Sequence, residues 1–204
     1  MSPKTPREAW QAMLDGNQRF VSGELAHPRQ DIDRREALAQ KQTPFAALFG
    51  CADSRLSAEI IFDVGLGDFF VVRNAGQVIG ETILGSLEYA VEVLGVPIIL
   101  VLGHDECGAI RATIDDVEGK MNASGTFIHK LVDQIRPTVL AANAQGMHEI
   151  DEVTELHVQD TINEMLTSSR LISDAVKAGK LAVVGANYKL TLGEIHPIVT
   201  IGLS

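Results

Sequence analysis

Basic residues and long apolar runs are both scarce in this chain of 204 residues. Its 17 Lys and Arg residues face 27 Asp and Glu residues, which gives a formal net charge of -10. A surface with this balance repels phosphate backbones, so the composition argues against a protein that binds nucleic acid or uses a basic face to bind membranes. The longest apolar run, VPIILVLG at 96–103, is too short to span a bilayer.

Cysteine is almost absent, since the chain contains only Cys51 and Cys107. The N-terminal residues MSPKTPREAW include no apolar signal segment, so the sequence predicts a cytoplasmic protein. In a reducing compartment, two cysteines are more often metal ligands, nucleophiles or core residues than a disulfide. Nucleotide-binding motifs are also missing, because neither a G-x-G-x-x-G pattern nor a P-loop occurs.

Short apolar segments alternate with helical patterns along most of the chain. The apolar segments predict five strands, at PFAALFGC, DFFVVRN, VPIILVLGH, KLAVVGANYKL and EIHPIVTIGL. The first four are continuous apolar runs, which is typical of a parallel sheet with helices on both faces. The short TLG turn makes the fifth strand antiparallel to the fourth. We therefore predict an α/β fold with a mostly parallel central sheet of about four strands and an antiparallel edge strand.

The helical regions outside this pattern lie at the N terminus and between Thr126 and about Lys180. The second region is predicted to break near Pro137 and Gly146. The first, residues 1–40, is a helical arm that opens with a capping box. Because the arm precedes the first strand, it has no sheet of its own to cover and is expected to pack on a partner subunit. No linker divides the chain, so residues 1–204 are predicted to form a single domain.

Residues with metal-binding chemistry follow two of the predicted strands. Cys51 ends the first strand, and His104 and Cys107 follow the third. Ligand sites in open α/β sheets form at the carboxyl ends of parallel strands, so the three side chains converge if these strands are neighbours. Two thiolates and one imidazole suit Zn²⁺ and leave a fourth tetrahedral position open, as in catalytic zinc sites. The helix that starts at Cys107 is expected to lower the pKa of its thiol.

An acidic and a basic residue lie directly behind the first cysteine. Arg55 is expected to hold Asp53 by charge-assisted hydrogen bonds. Beside a zinc ion, Asp53 could have either of two roles. It could orient a hydroxide, or it could bind the zinc itself and so block the site. Simpler interpretations also stand: the cysteines as buried core thiols or a redox pair, and Asp53–Arg55 as a structural ion pair. Arg73, at the end of the second strand, could simply tie loops together.

Four motifs together resemble the β-class carbonic anhydrases: CADSR at 51–55, VVRNAG at 71–76, GSLEYAV at 85–91 and GHDECGA at 103–109. The resemblance covers nearly the whole chain. It implies reversible hydration of CO₂ to bicarbonate and a proton, with one zinc ion per subunit on Cys51, His104 and Cys107. Asp53 and Arg55 would act beside the metal. A homodimer, or a tetramer, is also implied.

Four further residues receive roles from this resemblance alone. Gln42 and the backbone amide of Gly108 would position the substrate, while Phe70 and Tyr89 would line an apolar CO₂ pocket near the subunit interface. A related zinc hydrolase acting on CS₂ or COS would use the same ligands, and the sequence does not separate the two activities. The remaining histidines are interpreted as surface residues or satisfied core residues, namely His27, His129, His148, His157 and His196.

Overall fold

The computed structural model of the chain describes residues 3–120 and 124–203 and contains one central sheet. The strands are β1 (Ala46–Cys51), β2 (Phe69–Asn74), β3 (Ile98–His104), β4 (Ala182–Lys189) and β5 (Glu194–Ile201). They are ordered β2-β1-β3-β4-β5. The first four run parallel, whereas β5 pairs antiparallel with β4 and has an irregularity beside Gly185. The predicted sheet, with a parallel centre and an antiparallel edge strand, is therefore confirmed.

Eight helices surround the sheet in the described part of the chain. They are α1 (Pro6–Ser22), α2 (Ile32–Leu38), α3 (Ala58–Ile61), α4 (Glu81–Glu92), α5 (Gly108–Val117), α6 (Thr126–Ala144), α7 (Ile150–Ser168) and α8 (Arg170–Lys177). None of these helices is both long enough and apolar enough to cross a membrane. The predicted domain, 1–204, includes residues outside the described ranges.

The buried side chains form one cluster on each face of the sheet. Leu48 and Leu100 belong to the cluster that receives side chains from α1, α3, α5 and α6. Phe49 and Val101 belong to the other, which receives side chains from α4, α7 and α8. Successive strand residues point to opposite faces, so this alternation places helices on both sides of the sheet, as predicted.

Helix α6 differs from the sequence prediction because it continues through Pro137. Pro137 lies on the exposed face of the helix, and Asp133, whose carbonyl loses its hydrogen-bond partner, is an exposed residue as well. Val132, Ile135 and Val139 are buried on the opposite face, and their packing keeps the helix continuous. The predicted break at Pro137 is therefore wrong, while the one near Gly146 separates α6 from α7 as expected.

Helix α1 packs on its own chain, although it precedes every strand. Its predicted capping box is present, and Met13 is fully buried. The amide of Asn17 donates hydrogen bonds to the carbonyls of Ile61 (3.2 Å) and Gly193 (2.8 Å) and accepts one from the N–H of Ile195 (3.1 Å). The premise that the arm has no sheet of its own to cover is therefore wrong, because β5 returns to the helix from the end of the chain. By contrast, α2 has no buried residue.

The buried amide of Asn17 gives a test of this packing. Asn17→Ala is expected to lower the free energy of unfolding by about 2 kcal/mol, because three buried backbone groups lose their partner. Gln11→Ala is the matched control, since that exposed side chain bonds only to Asp15 on the same helix. Urea unfolding of the two variants and the wild type measures the difference. Equal stability of all three proteins would show that Asn17 does not anchor α1.

Candidate active site

The carboxyl ends of β1 and β3 bring three metal-binding side chains together. The two strands are adjacent and parallel, with Gly50 opposite Leu102. Cys51 is the last residue of β1, His104 is the last of β3, and Cys107 is the residue from which α5 starts. Their sulfur and nitrogen atoms all lie within 4.8 Å of one another, and all three residues are buried. The predicted convergence is therefore present.

The imidazole of His104 is oriented with one nitrogen free to bind a cation. Its Nδ1 lies 2.7 Å from the backbone carbonyl of Asp105, which only accepts hydrogen bonds, so this nitrogen carries the proton. Its Nε2 is buried and has no hydrogen-bond partner among the residues that the structure describes. A buried, unprotonated nitrogen beside two sulfur atoms is costly unless a cation occupies the space between them. The donor set therefore fits a metal ion such as Zn²⁺.

The two thiols titrate as a pair. The hydrogen bond from Cys107 lowers the pKa of Cys51 to about 4, and the same bond, together with burial, raises the pKa of Cys107. The backbone amides of Ala109 and Ile110 in the first turn of α5 do lower the pKa of Cys107, as expected, but the bond to Cys51 and burial outweigh them, so the net shift is upward. Two adjacent thiolates repel each other, so both are ionised together only when a cation binds them.

Asp53 and Arg55 form a bidentate ion pair next to the cluster. Arg55 Nε lies 2.9 Å from Asp53 Oδ1, and its Nη2 lies 2.7 Å from Oδ2. These hydrogen bonds hold the pKa of Asp53 well below its usual range, so the carboxylate is ionised at neutral pH. Asp53 Oδ2 is 3.9 Å from His104 Nε2. A carboxylate acceptor therefore faces the space between the metal-binding atoms.

Backbone contacts hold the loop that carries Cys51 and Asp53. Arg73, on β2, donates from Nε to the carbonyl of Cys51 (2.9 Å) and from Nη2 to the carbonyl of Asp53 (2.6 Å). The guanidinium thus connects the ends of β1 and β2. This contact supports the simple interpretation of Arg73 as a residue that ties loops together.

A glycine turn after β2 also contacts the cluster. The N–H of Gly76 lies 3.4 Å from the sulfur of Cys51. Gly76 has a left-handed backbone, with φ of 72°, and a Cβ there would lie 2.8 Å from Cβ of Ala109 and 2.9 Å from Cδ1 of Ile135. Only glycine fits this combination of conformation and space. The turn therefore supplies a hydrogen bond to a buried sulfur.

The four residues assigned to substrate binding fall into two groups. Gly108 opens α5 directly after Cys107, and its Cα faces open space. Gln42 and Tyr89 instead line a common surface hollow, and the rings of Phe70 and Tyr89 are 6.0 Å apart. Phe70 pairs with Ala47, four residues before Cys51 and therefore roughly 13 Å away along the strand. Within one chain, this second group does not reach the metal-binding cluster.

His157 is a polar residue of the site region that the sequence did not single out. It lies on α7, is buried, and its Nε2 is 2.7 Å from the carbonyl of Gly76. Its Nδ1 has no partner among the described residues, so the interpretation as a satisfied core histidine holds for Nε2 and not for Nδ1. The helical periodicity around it indicates only a buried position, and no motif marks its contact with the turn.

The fold and the buried Cys₂His cluster at the ends of parallel strands define an α/β protein with a candidate metal site, and comparison with known proteins identifies its family. The family model for carbonic anhydrase matches residues 46–195. The carbonic anhydrase of Mycolicibacterium smegmatis is 46% identical over 196 residues, covering 96% of this chain and 95% of the relative. Carbonic anhydrase 2 of Mycobacterium tuberculosis is 46% identical over 195 residues, covering 95% and 93%.

Solved structures agree with this assignment. The Coccomyxa β-carbonic anhydrase in complex with acetazolamide superposes with a TM-score of 0.73 at 26% identity, over 93% of this chain and 86% of the other. A tetrameric β-carbonic anhydrase from Sordaria macrospora gives 0.74 at 21% identity, over 94% and 98%, and shows the same fold. The chain therefore belongs to the carbonic anhydrase family, in its β class.

The Gly76 turn yields a second prediction. Gly76→Ala is expected to destabilise the protein by about 2 kcal/mol or more, because the added Cβ meets both a left-handed backbone and two side chains. Gly85→Ala is the matched control, since Gly85 is exposed on α4 and a Cβ added there meets no neighbouring atom of the described residues within 4 Å. Thermal or urea unfolding measures both variants. A Gly76→Ala protein as stable as Gly85→Ala would contradict the close packing described here.

Proposed function

We propose that the chain catalyses the reversible hydration of CO₂ to bicarbonate and a proton, with one zinc ion held by Cys51, His104 and Cys107. The observation that carries this proposal is the buried Cys₂His cluster in a member of the carbonic anhydrase family. Bound there, Zn²⁺ supplies the Lewis acidity that makes hydroxide available from water near neutral pH. Three protein ligands would leave one position on the ion open to water or substrate, as in catalytic zinc sites.

Asp53 orients the nucleophile in this mechanism. Its carboxylate is ionised and accepts hydrogen bonds only, so it directs the hydroxyl proton toward itself and the oxygen lone pair toward CO₂. Arg55 engages both oxygens of Asp53, which keeps the carboxylate ionised and turned toward its own guanidinium. This pairing supports an oriented acceptor over a carboxylate that occupies the fourth metal position. The backbone N–H of Gly108, next to Cys107, is a donor for the substrate oxygen.

We further propose that a second copy of the chain completes the substrate pocket. Gln42, Phe70 and Tyr89 share one surface region and do not meet the metal cluster of their own chain. Tyr89 is 44% exposed and Val93, in the same hollow, is 61% exposed, which is unusual for apolar side chains and typical of an interface. A homodimer, or a tetramer built from it, brings these residues to the opposite chain's Asp53. The N-terminal arm, whose α2 has no buried residue, docks on the same partner.

The overall charge agrees with this substrate and not with a polyanion. CO₂ is uncharged, so a net charge of -10 does not oppose its entry, whereas it does oppose nucleic acid. Both cysteines are free. A reducing cytoplasm that keeps them as metal ligands is therefore part of the proposal.

The role of Asp53 is separable from metal binding. Asp53→Asn is expected to lower kcat for CO₂ hydration by at least about 100-fold while zinc content stays near that of the wild type, because the amide no longer serves as an acceptor-only partner. Cys51→Ser is the contrasting variant and is expected to lose both zinc and activity. Stopped-flow CO₂ hydration and metal analysis of the same samples measure these outcomes.

The same assays test the proposal as a whole. Wild-type protein with bound zinc but no CO₂ hydration would overturn it, and turnover of CS₂ or COS in that sample would identify the related hydrolase instead. Near-full CO₂ hydration by Asp53→Asn would remove only the role assigned to Asp53.

Mixed dimers test whether two chains share one site. Differently tagged Gln42→Ala and Cys51→Ser chains are each expected to be impaired, but their mixed dimer regains CO₂ hydration at one site. That site combines an intact metal cluster from one chain with Gln42 from the other. The control is a mixed dimer of Cys51→Ser and Asp53→Asn chains, which contains no intact site because both changes affect the metal side. Equal activity of the two mixed dimers would contradict the shared pocket.

A further inference from the structure

Helix α7 contacts the backbone turn that donates a hydrogen bond to Cys51. His157 donates from Nε2 to the carbonyl of Gly76 at 2.7 Å. One helical turn later, the hydroxyl of Thr161 lies 3.5 Å from the carbonyl of Gln77. The hydroxyl of Thr161 donates instead to the carbonyl of His157 on its own helix (2.7 Å), so the hydrogen bond from α7 to the turn comes from His157.

The turn has an unusual backbone geometry. Gly76 and Gln77 both have left-handed backbones, with φ of 72° and 39°. Gln77 carries a side chain in a conformation that L residues rarely adopt, and its buried amide atoms have no partner. The side chain of Asn74 closes the turn with two hydrogen bonds to the backbone of Val78, and the bond from His157 fixes the carbonyl of Gly76 inside it. In this geometry the N–H of Gly76 points at the sulfur of Cys51.

The protonation of His157 agrees with this role. Burial lowers its pKa, so the ring is neutral at neutral pH and carries one N–H. A carbonyl oxygen only accepts hydrogen bonds, so that proton lies on Nε2, facing Gly76. Nδ1 keeps a lone pair and has no partner. The ring therefore has a single directed bond, and that bond goes to the turn.

We propose that His157 is a positioning residue for the metal site: its bond to Gly76 fixes the turn that holds the sulfur of Cys51. A hydrogen bond to a thiolate orients the ligand and stabilises its charge, and partners of this kind contribute strongly to metal affinity. The inference rests on the proposed function, because it takes Cys51 as a zinc ligand. It extends that function to a residue on a helix that carries no ligand.

Three variants on α7 test the proposal through metal affinity. His157→Met fills the space but has no donor, and it is expected to weaken zinc binding by about 10- to 100-fold in competition with a chelator. His157→Gln keeps a donor in the place of Nε2 and is expected to restore most of that affinity. Thr154→Val is the matched control, because this buried hydroxyl on the same helix has no partner and its removal leaves the turn untouched.

Absorption spectroscopy of the cobalt-substituted proteins reports on the bond between the metal and the cysteine thiolates. The thiolate-to-cobalt charge-transfer band is expected to shift in His157→Met and to match the wild type in His157→Gln and Thr154→Val. If His157→Met binds zinc as tightly as the wild type and gives the same band, the proposal is overturned. Failure of the wild type to bind zinc would instead overturn the proposed function.

A measurement on the unmodified protein covers the case in which His157→Met does not fold. The ring nitrogens of His157 are observed by ¹⁵N NMR in the zinc-loaded wild type at pH 7.5. We expect a neutral ring protonated at Nε2. A ring protonated at Nδ1 alone has no proton to donate to Gly76 and would overturn the proposal.

Discussion

The parallel pairing of β1 with β3 is the constraint on which the site depends. It brings Cys51 and His104 to one edge of the sheet, and the start of α5 adds Cys107. The result is a buried set of two thiols and an imidazole nitrogen without a partner, which is stable only when protons or a cation neutralise it. Ionising both buried thiols would be unfavourable in this fold unless a cation such as a divalent metal ion bound between them.

Around this cluster, backbone groups are held by side chains from neighbouring elements. Arg73 on β2 binds the carbonyls of Cys51 and Asp53, and His157 on α7 binds the carbonyl of Gly76. Each contact fixes a loop at the end of a strand, where no sheet partner is available. The loops contain Cys51, Asp53 and Gly76, and side chains from β2 and α7 fix the positions of those loops.

The metal-binding cluster and the residues proposed to bind substrate are separated within one chain. The metal cluster and Asp53 lie at the strand ends, whereas Gln42, Phe70 and Tyr89 lie together at the surface near α4. An exposed apolar group of this kind gains most by burial against another chain. Dimer formation therefore serves two purposes in our proposal, since it covers apolar surface and also completes the pocket for an apolar gas.

The sequence by itself determined the succession of strands along the chain, the antiparallel edge strand and the placement of Cys51, His104 and Cys107 at strand ends, because apolar periodicity and strand-end placement are local signals. Their convergence followed only if the first and third strands are neighbours, which the structure shows. Tertiary structure alone decided three other features. Helix α6 passes Pro137 because its opposite face is packed, α1 is anchored by a strand from the other end of the chain, and His157 meets Gly76 across 81 positions. Such contacts depend on how distant segments pack, and no local pattern of residues encodes that packing.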